Sequence, residues 1–394
     1  MRFPGFTDEW KTDKLSSYAK KIIKKNKGNS ITNVLCNSAN LGIIPQSEYF
    51  DRDIANSENT DTYYVIECGD FVYNPRKSVT APYGPVNLYD RPESGIISPL
   101  YLCFRIKNIS KDFLLRWFKG NSWHKYVYSH GDTGVRYDRV SIKDEIFLNM
   151  PILLPSIPEQ EKIAKFLSLL DERIATQNKI IEDLKKLKSA IIDNHLSRVQ
   201  TDESGKTVKL GEIGNFTRGL TYSADDTVED GGIVVVRANN LSNGEAVNLY
   251  NEEIVRVDKS ISGSQQLKDG DIVICMANGS SALVGKASYY NDTTDSIVTV
   301  GAFCGIYRSN KKIVRWLLQT NKYKRATHKS LQGGNGAIAN LTPNDILGLS
   351  FIIPKHETLI VELLQEFDVK LDIEMSLLHN LQKEKQYLLS QMFI

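Results

Sequence analysis

Apolar residues spaced alternately three and four apart mark two stretches of this chain, residues 158–199 and 357–394. Held over about four heptads, that spacing is the seam of a coiled coil and predicts two long helices. Set against each other at an offset of 197 residues, the two stretches match position by position. Ile163, Leu167, Leu170, Ile174, Ile181, Leu184 and Ile191 fall on Ile360, Leu364, Phe367, Leu371, Leu378, Leu381 and Leu388, the predicted helix-pairing residues. Asp171 falls on Asp368, and the interruptions match too, Gln177 meeting Glu374 and Lys188 meeting Lys385.

The repeat continues upstream in the same order. Leu153-Leu154-Pro155 matches Ile352-Ile353-Pro354, and Arg116-Trp117 matches Arg315-Trp316. Gly69-Asp70-Phe71-Val72 matches Gly270-Asp271-Ile272-Val273, and Lys14-Leu15 matches Lys209-Leu210. Short β-rich runs at 63–68, 71–73, 233–237 and 272–276, bounded by Gly, Asn and Asp, fill the globular parts, with a helix expected around Trp117 and Trp316. The predicted class is α+β: domains at 1–155 and 201–354, helices at 156–200 and 355–394, and a polar linker over 197–206. Each helix would be roughly 55 Å long. An antiparallel pair needs no stretched linker, so a pseudo-two-fold arrangement is expected, with Gln177 and Glu374 near its centre. There they either fix register or are solvated at a loose point.

Net charge is +2 and gives no signal of its own; its distribution does. Residues 296–344 hold no acidic residue and eight basic ones, Arg308, Lys311, Lys312, Arg315, Lys322, Lys324, Arg325 and Lys329. Residues 94–143 carry nine basic residues against three acidic. A further run, Lys20, Lys21, Lys24, Lys25 and Lys27, precedes Asn29. Gly- and Asn-rich segments, 129–134 and 331–337, follow the basic stretches and allow close backbone approach to a phosphate or base. Arg, Asn and Gln read base edges bidentately, and Lys and Arg neutralise phosphates. The candidate DNA-binding residues are therefore Lys20, Lys21, Lys24, Lys25, Arg76, Lys77, Arg136 and Arg139 in the first domain. In the second they are Arg237, Asn239, Asn240, Lys322, Lys324, Arg325, Lys329, Gln332 and Asn335. For the asparagines the competing role is buried capping, and for the arginines structural pairing.

Motifs for catalysis are missing. Six scattered histidines show no metal-ligand spacing, and five spread cysteines form no CxxC pair, so no metal, no disulfide framework and a reducing cytoplasm are expected. Neither a Walker motif nor a Gly-x-Ser-x-Gly elbow is present. Asn74-Pro75-Arg76 is not the Asn/Asp-Pro-Pro-aromatic tetrapeptide of amino-methyltransferases. No apolar run approaches a membrane span, and Met1–Gly5 lacks a signal-peptide core.

The chain closely resembles the specificity subunit of type I restriction–modification systems, over its full length. The stretches that carry this are Phe3-Pro4-Gly5-Phe6 with Trp10, and Pro158-Glu159-Gln160-Glu161-Lys162-Ile163-Ala164 running into Leu170-Asp171. The second copy, Pro354-Lys355-His356-Glu357, lacks the Glu-Gln pair. The resemblance implies two target-recognition domains reading the halves of a bipartite asymmetric site on double-stranded DNA. The helices would set the spacer and dock two modification subunits, so that exposed positions such as Leu187 face a partner. It also implies no catalysis and no cofactor in this chain. S-adenosylmethionine would enter with the modification subunits, and ATP and Mg with restriction subunits. The alternatives are a coiled-coil DNA-binding scaffold outside restriction, an anti-restriction relative, and a self-contained DNA methyltransferase.

Overall fold

The computed structural model describes residues 3–49, 60–132, 138–196, 205–249, 254–291, 294–331, 339–355 and 357–392. The chain divides into two compact units, Met1–Asn178 with Ser376–Ile394, and Lys179–Met375. Both boundaries cut through the long helices, Ile157–Ile191 and Glu357–Met392, so each unit includes part of each helix and no separate helical domain is defined.

In the first unit an antiparallel pair, Lys11–Lys14 with Pro151–Leu154, joins the start of the globular part to its end. A four-stranded antiparallel sheet follows the order Ala19–Lys21, Leu102–Ile106, Asp70–Tyr73, Val86–Leu88. Its inner strand Asp70–Tyr73 is buried at every position, which explains why it reads as a continuous run and not as an alternation. A second sheet has the order Gly42–Pro45, Val34–Ser38, Gly95–Ile97, Tyr64–Ile66, with one parallel pair at its centre. Helix Lys111–Lys119 buries Phe113, Leu114, Trp117 and Phe118 on one face, and the Ser110 side chain caps its N-terminus by accepting from the Phe113 amide.

The second unit repeats this plan. Gly205–Lys209 pairs with Ser350–Pro354, and the antiparallel sheet runs Gly214–Arg218, Cys304–Ser309, Ile272–Cys275, Ala287–Tyr289. Its other sheet, Thr227–Val228, Val255–Val257, Ile233–Val236, Val298–Val300, keeps the parallel pair but takes its fourth strand on the opposite side, which leaves that pair at the sheet edge. The polar linker expected over 197–206 is shorter than the sequence suggested. Gly205 and Lys206 already belong to the first strand, in register with Pro354 and Ile353, and 197–204 lie outside the described residues. Gly69 and Gly270, both at positive φ, make the same tight turn into the central strand.

In each unit opposite ends of the two long helices come together, which makes the pairing antiparallel. Ile163, Ala164 and Leu167 share the first unit's core with Leu388, Leu389 and Met392. Ile192 and Leu196 share the second unit's core with Val361 and Leu364. None of the fourteen predicted pairing positions is exposed. Gln177 and Glu374 are both buried, so the solvated alternative for them falls; Glu374 also holds an ion pair with Lys370 one turn away.

Candidate nucleic-acid interface

Two ionic motifs, each present twice, position the functional faces. Asp70 and Asp271, fully desolvated at the start of each central strand, accept both Nε and an Nη of the neighbouring-strand arginine, Arg105 and Arg308, at 2.6–2.8 Å. Hydrogen bonding to these aspartates raises the pKa of both arginines. In the second motif Asp171 binds Arg116 and, at 2.7 Å, Lys385, while Asp368 binds Arg315 at 2.6 Å and Lys188 at 2.5 Å. Each Asp thus ties a globular-domain arginine to a lysine of the other long helix. Arg315 also lies over the Tyr289 ring, 3.0 Å from its centroid.

These motifs correct part of the basic-patch reading. Arg308 and Arg315 are held in structural ion pairs, and Lys311 pairs with Glu357, so they are not free to bind phosphate. Lys21 is likewise paired, with Asp144 at 2.6 Å. Asn240 is buried and acts as a cap: its Oδ1 accepts from the Arg237 amide at 2.9 Å and its Nδ2 donates to the Asn248 carbonyl. It therefore cannot read a base edge. The family-like Gln160 is also buried, donating to the Pro155 carbonyl and accepting from the Ser110 amide, which fastens the head of the first long helix to the helix that carries Trp117.

Of the remaining candidates, Arg76, Lys77 and Arg139 in the first unit and Arg237 and Asn239 in the second gather near the ends of the central strands. In the first unit the strand runs on through Asn74 and Pro75 to Arg76 and Lys77. The Pro75 carbonyl accepts from the Val140 amide at 2.9 Å, the Lys77 amide donates to the Asp138 carbonyl at 2.8 Å, and Arg76 bridges Arg139. Arg76, Lys77 and Arg139 are thereby held together beside the segment 133–137, where Arg136 lies outside the described residues. One carboxylate, Asp138, stands 3.9 Å from both arginine Nε atoms, too far to hydrogen-bond and too little charge to neutralise them.

The second unit does the same with other residues. Its central strand continues through Met276 to Ala277–Asn278, which pairs with Ala339–Asn340, and the Leu341 amide donates to the Met276 carbonyl at 2.7 Å. The segment 332–338 before that pairing includes Gln332 and Asn335, outside the described residues. Leading into it is helix Asn321–Leu331, which buries Tyr323 and Thr327 and leaves Lys322, Arg325 and Lys329, at helical spacing, on one exposed face. Lys322 also reaches over the Phe351 ring, and burial lowers its pKa. Lys324 lines a neighbouring depression with Lys286 and His328. Beside the Ala277–Asn278 extension is a cleft of about 650 Å³ lined by Arg237, Asn239, Asn278, Tyr222 and Phe303. Arg237 and Asn239 were legible as candidates from the sequence; Asn278, Tyr222 and Phe303 were not.

The lysine run does not join this site. Lys20 stands level with Arg105 and Asp70 at the start of the first central strand, and Arg76 lies six residues on, roughly 20 Å away along the strand direction. Lys24 and Lys25 are exposed, Lys24 lying 3.7 Å from Glu67. Among the described residues no group of His, Cys, Asp and Glu is placed to hold a metal, and no helix is long and apolar enough to cross a membrane.

Fold and interface together define a duplicated α+β protein, each unit presenting a basic, segmented face at the end of its central strand. The profile of the type I restriction modification DNA specificity domain matches residues 8–186 and again 203–383. The chain belongs to that family. It is 27% identical over 167 residues to the type I restriction enzyme StySPI specificity subunit of Salmonella potsdam, a match covering 40% of this chain and 35% of that protein. It is 26% identical over 264 residues to the MjaVIII specificity subunit of Methanocaldococcus jannaschii, covering 61% of this chain and 56% of the other. The chain thus spans about a third to just over half the length of these relatives. The crystal structure of a type I restriction-modification system S subunit from M. genitalium shares the fold, with TM-score 0.55, 17% identity and 100% and 97% of the two chains covered.

Proposed function

We infer that this chain is the DNA-specificity subunit of a type I restriction–modification complex, each unit reading one half of a bipartite, asymmetric site in double-stranded DNA. The observation that carries this is the repeated construction of the interface: in both units the extended central strand pairs with the chain just after a Gly-rich segment that follows a helix. In the first unit that place holds Arg76, Lys77 and Arg139, and in the second it adjoins Arg237, Asn239 and the face of Lys322, Arg325 and Lys329. Phosphate contacts from the lysines would fix position, and the Arg and Asn side chains would read bases.

The long helices set the spacer and dock two modification subunits through exposed apolar positions such as Phe166, Ile180 and Leu187. This chain supplies address and docking, without catalysis or cofactor of its own. The modification subunits bring S-adenosylmethionine and methylate adenine, and restriction subunits bring ATP- and Mg-dependent translocation and cleavage. The cytoplasm is where such a complex meets DNA, and the free thiols, four of them buried, suit that compartment.

The test is co-expression with a modification subunit, followed by sequencing of methylated adenines. A single bipartite motif, present only with the partner, is expected. Methylation by this chain alone would overturn the non-enzymatic reading, and methylation without a bipartite motif would overturn the two-reader reading.

A further inference from the structure

Leu100 and Phe303 occupy the same place in the two units. In the second unit the chain passes from strand Val298–Val300 of one sheet to Cys304–Ser309 of the other through Gly301, Ala302 and Phe303. In the first it passes from Gly95–Ile97 to Leu102–Ile106 through Ser98, Pro99, Leu100 and Tyr101. Strand register aligns the two passages. Ile97 lies beside Leu35 as Val300 lies beside Val236, and Arg105 faces Asp70 as Arg308 follows Tyr307, the partner of Ile272. Leu100 then falls on Phe303, and the two are 62% and 63% exposed.

Both side chains stand on fixed backbone. The Phe303 carbonyl accepts from the amides of Met276 and Ala277, at 2.8 and 3.1 Å, so it is bonded directly to the strand extension that carries the interface. The Cys304 amide closes the turn onto the Gly301 carbonyl at 2.8 Å, as the Tyr101 amide does onto Ser98 at 3.1 Å. Phe303 also lines the cleft with Arg237 and Asn239.

A single exposed apolar residue needs no explanation. Recurrence at one position does, when the neighbours have changed from Ser-Pro to Gly-Ala and from Tyr to Cys. Leucine and phenylalanine share apolar bulk but not a π-face, so stacking cannot be the common role. The apolar group that a base pair offers in the major groove is the 5-methyl of thymine. We propose that Phe303 and Leu100 are the apolar reading residues of the two units, each packing against a thymine methyl in its own half-site. This rests on the DNA-reading function above.

The complex with its modification subunit supplies the test. After its methylated motif is mapped, each thymine is replaced in turn by uracil, which deletes only the methyl. One replacement per half-site is expected to weaken binding about fourfold, the worth of one buried methyl. Phe303→Ala should abolish that sensitivity in the second unit's half-site alone, and Leu100→Ala in the first unit's alone. Phe303→Leu should keep it. Half-sites without thymine, no uracil effect, or sensitivity unchanged in the alanine variants would overturn the proposal. So would loss of sensitivity in Phe303→Leu, which points to stacking. A wild-type complex that recognises no bipartite motif would instead sink the function on which the proposal rests.

Discussion

Asn239 and Asn240 are sequence neighbours with the same side chain, yet one is exposed at the cleft and the other is buried as a cap. Asn240→Ala should cost about 1–2 kcal/mol of stability, because it leaves the Arg237 amide without its acceptor. Denaturant melts would show this, with the methylated motif unchanged. Asn239→Ala should do the reverse, leaving the melt alone and relaxing one base position of the second half-site. The basic residues separate in the same way. Lys329→Ala, on the exposed helix face, should reduce the slope of log K against log salt by about 1 without altering the motif. Salt titration of binding checks it, and an unchanged slope would remove Lys329 from the phosphate contacts.

The Asp-centred motifs act between elements, because each Asp joins a globular arginine to the opposite long helix. Asp368 is buried with Arg315 and Lys188, and burial already lowers the Arg315 pKa. Asp368→Ala should therefore cost about 3–5 kcal/mol, since two cations would be left buried without their carboxylate. Asp171 is partly exposed and should matter less. Burial pushes its carboxyl up, but the hydrogen bond and charge of Lys385 and the charge of Arg116 outweigh this and hold it below 3.8. A lowered folded-state pKa gives stability that is present above 3.8 and lost as pH falls through the folded value. Asp171→Asn should accordingly flatten the acid limb of a stability-against-pH curve. Every member of these motifs was legible as a repeat match, Arg116 with Arg315, Asp171 with Asp368, Lys188 with Lys385. That each Asp bonds the lysine of the other helix was not legible, because the repeat matches every residue to its equivalent and carries no information on side-chain contacts across the pair. Phe303 was missed for a related reason: an isolated apolar residue in a turn has no pattern, and only strand register aligns it with Leu100. Arg308 misled because composition counts charge without showing that Asp271 already holds it.

At the scale of the whole molecule, the unit boundaries after Asn178 and Met375 mark where the helices can be altered without touching either core. Inserting one heptad at both points should lengthen the recognised spacer by about three base pairs and leave both half-sites intact. Motif mapping of that variant decides it, and a changed half-site would count against a helical ruler. Exchanging residues 1–155 for those of another such subunit should change one half-site only. The division of the helices also bears on synthesis. Leu388, Leu389 and Met392 fill the core that holds Ile163 and Leu167, but they are translated after all of Lys179–Met375. The second unit is one uninterrupted stretch and can close as it leaves the ribosome, whereas the first must wait with an unfinished core. The unit that begins the chain is the last to be completed.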